Sequence, residues 1–201
     1  ANESVLEDAG AQTIVAWATS LSTGPADEGG QSLTFTVTND NNGLFSTQPA
    51  IDASGQLTYT PASGANGVAT VSISLTDDGG TADGGDDSYV TETFTIAVGA
   101  VNDEPSFVKG ANESVLEDAG AQTIVAWATS LSTGPADEGG QSLTFTLTND
   151  NNGLFSAQPA IDASGQLTYT PASDANGEAT VSNTLTDDGG TADGGDDTYV
   201  T

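Results

Sequence analysis

Apolar and polar residues alternate strictly along several short stretches of this chain. In Ser32–Thr38, Leu33, Phe35 and Val37 fall on one side and Thr34, Thr36 and Thr38 on the other. Leu57 and Tyr59 share a side of Gly55–Pro61, and Ala69, Val71, Ile73 and Leu75 share one in Gly67–Leu75. Phe94, Ile96 and Val98 do the same in Glu92–Val98. A period of two means one buried and one solvated face, the mark of a β-strand. Gln12–Ser20 reads as a further strand with Trp17 as a core anchor, and short strands fit near Ser4–Leu6 and Gln48–Ile51. Clusters of Asn, Asp and Gly separate them, with Asn39–Gly43 expected as a hairpin turn. About seven strands in roughly 100 residues predict an all-β fold, a Greek-key β-sandwich.

The pattern occurs twice. The stretch that begins at Ala1 begins again at Ala111, a period of 110 residues, and only seven of the 91 aligned positions differ. Such a period suits one whole domain, so the chain reads as tandem sandwiches. The expected division is repeat 1 over 1–103, a linker over 104–110, and repeat 2 over 111–201 without its last strand. A folding unit offset from the sequence repeat, over 92–201, also spans one period.

Charge narrows the function. The 201 residues carry 29 Asp and Glu against one basic residue, Lys109, for a net charge of −28. Phosphate contact needs Lys and Arg, so nucleic acid and anionic membranes are excluded as partners. Cys, Met and His are all absent. Thiol and histidine chemistry are excluded with them, and no enzyme is expected. The longest apolar runs are strand-sized, and no export signal lies within these residues. Cations are the expected partners.

The acidic residues concentrate in loops. Leu75–Asp87 holds Asp77, Asp78, Asp83, Asp86 and Asp87, and it returns with Asp187, Asp188, Asp193, Asp196 and Asp197. Another loop carries Asp27 and Glu28, and again Asp137 and Glu138. With seven alternating strands, both loops fall at the end where the chain comes in. Glu7, and its repeat Glu117, fall at the opposite end beside the segment with Asn102, Asp103 and Glu104. Stacking two repeats end to end would bring these groups together from both sides. Calcium takes six to eight oxygen ligands from such residues, and glycines let the loop wrap. Several calcium ions per repeat are expected, including one set at the joint. Asp83, Asp86 and Asp87 are expected to serve a separate ion within their loop.

The ordered motifs also carry a resemblance. "SVLEDAG", "ADEGGQSLTF", "IDASGQLTYTP", "LTDDGG" and "AVNDEPSF" follow one another as in cadherin repeats. The whole repeat resembles the cadherin-like, immunoglobulin-like extender repeats of large bacterial RTX adhesins. The resemblance implies that Glu7, Asp27, Asp78, Asn102 and Asp103 bind calcium. It further implies a calcium-rigidified spacer at a bacterial cell surface, outside the cell, contributing to adhesion and biofilm. Neighbouring repeats of the same long chain would be its partners, with no obligate oligomer. Two departures stand out: Glu104 shortens the linker motif, and "TPASGAN" replaces the acidic motif after the fifth strand. The alternative is a calcium-dependent carbohydrate- or ice-binding module, using Trp17, Tyr59 and Tyr89 or the Thr34–Thr36–Thr38 row.

Overall fold

The computed structural model describes residues 1–82 and 85–200. They form two compact units, Ala1–Ala100 and Val101–Thr201. Each unit is all-β.

The first unit has seven strands: β1 (Glu3–Leu6), β2 (Gln12–Ile14), β3 (Leu33–Asn39), β4 (Phe45–Ile51), β5 (Leu57–Pro61), β6 (Gly67–Asp77) and β7 (Glu92–Gly99). One sheet runs β1-β7-β6-β3 and the other β2-β5-β4. All neighbours are antiparallel except β1 and β7. The alternating residues meet between the sheets. Leu57 and Tyr59 from one face, and Ala69, Val71, Phe94, Ile96 and Val98 from the other, form a single buried core. Burying each such aliphatic or aromatic side chain contributes about 1.5–3 kcal/mol, which offsets the cost of ordering short strands. Pro49 sits at the irregular pairing of β4 with β5, where a missing N–H costs no ladder bond.

Two local expectations are corrected. The strand expected over Gln12–Ser20 stops at Ile14. Ala16 (φ 54°) takes left-handed backbone, which turns the chain out of the extended path just after Ile14. Trp17 nevertheless packs on the core, its ring 4.3 Å from that of Phe94 and its indole N–H donating to Glu3 Oε1 at 2.9 Å. Asn39–Gly43 is not a hairpin turn, because β3 and β4 lie in different sheets. Short polar side chains bond the neighbouring backbone here and carry the chain across. Asn41 N–H donates to Asn39 Oδ1 (3.0 Å), and Thr70 N–H donates to Asp40 Oδ1 (2.7 Å).

The second unit repeats the design with differences. Its strands are β8 (Ser106–Val108), β9 (Gln122–Ile124), β10 (Thr129–Ser132), β11 (Thr144–Asn149), β12 (Phe155–Ile161), β13 (Leu167–Pro171), β14 (Val181–Thr186) and β15 (Thr198–Val200). They pair as β11-β14-β15, β12-β13-β9 and β10-β8. The segment 104–110, expected as a linker, contributes β8 and the core residue Phe107 to this unit. Phe107 is 7% exposed and meets Phe145 and Tyr199 edge-on, at 5.1 and 5.7 Å between ring centres. The division therefore falls between Ala100 and Val101.

Candidate functional site

The acidic loops of the second unit meet around Asn102 and Asp103. After Pro135, a single 3₁₀ turn, Ala136–Glu138, doubles the chain back. Thr133 Oγ1 and the Gln141 N–H both donate to the Glu138 carbonyl, each at 2.9 Å. The Glu138 side chain is thereby folded over Gly134, where a Cβ would overlap its carboxylate. Glu138 Oε1 accepts the Asp103 N–H at 2.7 Å.

The Asp-rich loop closes from the other side. Asp187 Oδ1 accepts the Gly189 N–H (2.9 Å) and Asn102 Nδ2 (3.0 Å). Asn102 also donates Nδ2–H to the Asp196 carbonyl at 2.9 Å, and its own carbonyl accepts the Asp196 N–H at 2.9 Å. Gln141 Nε2 donates to Asn102 Oδ1 at 2.7 Å. Gly189 is required by this approach, because a Cβ there would strike the Asn102 side chain.

The result is an excess of acceptors. Glu138 and Asp187 are 6% and 8% exposed. Glu138 Oε2, Asp187 Oδ2 and Gln141 Oε1 are buried and accept no hydrogen bond. Buried oxygens in that state are costly without a donor or a cation. Burial raises the Glu138 pKa above its ordinary value, and repulsion from Asp103, Asp137 and Asp187 adds to it, against the opposing Asp103 N–H bond. Among the described residues no three acidic side chains already stand at the spacing of a closed metal site. The arrangement is a cluster of buried acceptor oxygens gathered around Asn102 and Asp103.

The other residues singled out by sequence divide as follows. Asp188 Oδ1 accepts the Ser142 N–H (2.7 Å), a loop-pinning bond, while Asp137 and Glu104 are exposed. Asp196 Oδ1 accepts the Thr198 N–H (3.0 Å), and Asp197 Oδ1 accepts Thr198 Oγ1–H (2.8 Å). Asp193 lies in left-handed backbone on the exposed turn. In the first unit, Asp78 Oδ1 accepts the Ser32 N–H (2.8 Å) and Asp77 Oδ1 the Gly79 N–H (2.8 Å). Glu28 is half-buried and Asp27 exposed. Asp86 Oδ1 accepts the Ser88 N–H (3.1 Å), and the Asp87 carbonyl accepts the Asp77 N–H (3.0 Å). Asp83 lies outside the described residues.

Glu7 lies at the opposite end of the first unit from Asp77. It is 2% exposed beside Gly99, whose carbonyl accepts the Glu7 N–H at 2.9 Å. Gly99 follows Val98, which pairs with Gly67 at the far end of β6 from Asp77. Glu117 is exposed, its Oε2 accepting Asn176 Nδ2–H at 3.4 Å.

Sequence reasoning passed over Gln141 and its repeat Gln31. Gln31 Oε1 is likewise buried without a hydrogen bond. The available signal was an amide three residues after each Glu of "DEGGQ". Of the aromatic residues weighed for sugar contact, Tyr59 is buried in the core and Trp17 packs against it, while Tyr89 is 62% exposed.

Two face-to-face sheets with this strand order define an immunoglobulin-like sandwich, here in tandem. The model of the Bacterial Ig domain family matches residues 2–86 and again 102–196, and the chain belongs to that family. The second match begins at Asn102, beside the division between the units. Among solved structures, mouse protocadherin-24 EC1-3 aligns at a TM-score of 0.46 and 12% identity, over 84% of this chain. The chain spans 56% of that structure. Human protocadherin-24 EC1-2 aligns at a TM-score of 0.43 and 16% identity, over 99% of this chain and 90% of that one. No curated protein matches the sequence. Among the described residues no helix is long and apolar enough to cross a membrane.

Proposed function

We propose that these are calcium-stiffened spacer repeats of a bacterial surface protein, holding a distal adhesive region away from the cell. One observation carries the reading. Three buried oxygens, on Glu138, Asp187 and Gln141, lack a donor, and all three side chains are bonded to Asn102 or Asp103. Cationic side chains cannot meet this demand, since Lys109 is the only one in the chain. A hard divalent cation that prefers oxygen can. It would tie the first residues of the unit to the two acidic loops and restrain the chain where the unit begins.

The magnitude is sufficient. Extracellular calcium modules bind at about 10⁻⁴–10⁻³ M. Ligand at about a hundred times its dissociation constant stabilises by roughly 2.7 kcal/mol per site. That is a large fraction of the roughly 5–15 kcal/mol that holds a small domain together. Tandem duplication with seven differences in 91 positions suits length rather than chemistry. Scattering and calorimetry of the chain in chelator and in millimolar calcium test the proposal. Calcium should raise the second unit's melting temperature by about 10 °C and reduce bending. Superposable curves in the two conditions would refute it.

A further inference from the structure

The two units differ at one corresponding place. In the second unit β8 pairs with β10, with Val108 opposite Thr129 and Ser106 opposite Ser132. It drops Phe107 between Phe145 and Tyr199. In the first unit the counterparts of β10, Thr19–Ser22, form no strand. There the same surroundings line a groove of about 360 Å³, bounded by Leu21, Phe35, Leu75 and Tyr89. Each lies 110 residues before a residue of the second unit: Leu131, Phe145, Leu185 and Tyr199. All four of these belong to the core cluster that contains Phe107.

Filling the place changes its borders. Leu185 is fully buried and Tyr199 half-buried, whereas Leu75 is half-buried and Tyr89 is 62% exposed. Thr198–Val200 forms the strand β15, whereas Ser88 makes only an isolated bridge to Thr76. The first unit thus presents an apolar slot beside Thr19–Ser22, a stretch that forms no strand here although its counterpart does in the second unit, the setting in which an extended segment can add as a strand.

We infer that this groove is an acceptor for an extended strand, and that its occupant is a segment with the sequence pattern of Val101–Val108 supplied by another repeat. Phe107 in the second unit shows the fit: its ring takes the slot between the two aromatic side chains, and the flanking Ser106 and Val108 pair with the edge.

The test is a fusion of residues 101–110 ahead of Ala1 in the full chain. Because Ala1 repeats Ala111, the added segment meets the first unit in the register it has in the second. Melting is followed in chelator through Trp17, the tryptophan of the first unit, so that cation binding plays no part. The fusion should raise that unit's melting temperature by about 10 °C, the scale of regaining one buried aromatic side chain. A fusion whose added segment has Ala in place of its Phe should lose most of that gain. Amide chemical shifts should move at Leu21, Phe35 and Tyr89 in the first fusion only. An unchanged melting temperature, or equal stabilisation by both fusions, would overturn the inference. So would a concentration-dependent dimer of the parent chain that protects Tyr89, since a second copy would then be the occupant.

Discussion

Phe107→Ala tests where the second unit begins. The side chain is 7% exposed and touches two rings. Truncating a buried Phe costs about 3–5 kcal/mol through lost transfer energy and the remaining cavity. For a domain of about 100 residues, each kcal/mol lowers the melting temperature by about 4–8 °C. The second unit should therefore melt at least about 12 °C earlier. The first unit should not move, because Phe107 belongs to the other core. Each unit contains one tryptophan, so Trp17→Phe and Trp127→Phe backgrounds report the two transitions separately by fluorescence. Should the second unit fail to fold at all, the Trp17 transition would persist unchanged. A second-unit shift below about 3 °C, or an equal fall in both units, would refute the assignment of residues 104–108 to that core.

Other consequences follow from particular residues. Glu138→Gln removes a carboxylate whose pKa burial and repulsion raise. A raised folded-state pKa means that stability is full below the ordinary value and is lost as pH rises through the folded one. In chelator the variant should melt higher than the parent at neutral pH, and titration should show the parent gaining stability on acidification. In calcium the variant should lose at least half of the calcium-induced rise. Asp52 and Asp162 have pKa values lowered by hydrogen bonds from Ser54 and Ser164. Their stabilisation is full above the ordinary value of 3.8 and fades as pH falls through the depressed one. Replacing both by Ala should flatten the acid arm of the melting profile.

The sandwich was legible because alternation reports burial directly. Leu57, Tyr59, Val71, Phe94 and Ile96 were all placed inward by period alone, and all are buried. Gln12–Ser20 misled because a left-handed residue at Ala16 leaves no mark on an alternating pattern of apolar side chains. Asn39–Gly43 has the composition of a turn, but composition does not say whether a turn stays within one sheet. The gathering of Glu138, Asp187, Asn102 and Asp103 follows from loop placement around seven strands. Their common membership of one unit does not, because it depends on Phe107 choosing its core. A single Phe in an acidic, proline-bearing segment gives no periodic signal.

β1 and β7 run in the same direction, with Glu3 opposite Ile96 and Leu6 opposite Gly99. The opening strand of the first unit thus lies flush against its closing strand. Tension applied at the two ends of the unit drags these strands past each other lengthwise. Their hydrogen bonds are then strained together and must fail together. An antiparallel pair gripped the same way would unzip one bond at a time. Resistance to pulling is therefore set by strand direction, and it would remain even in a medium without calcium.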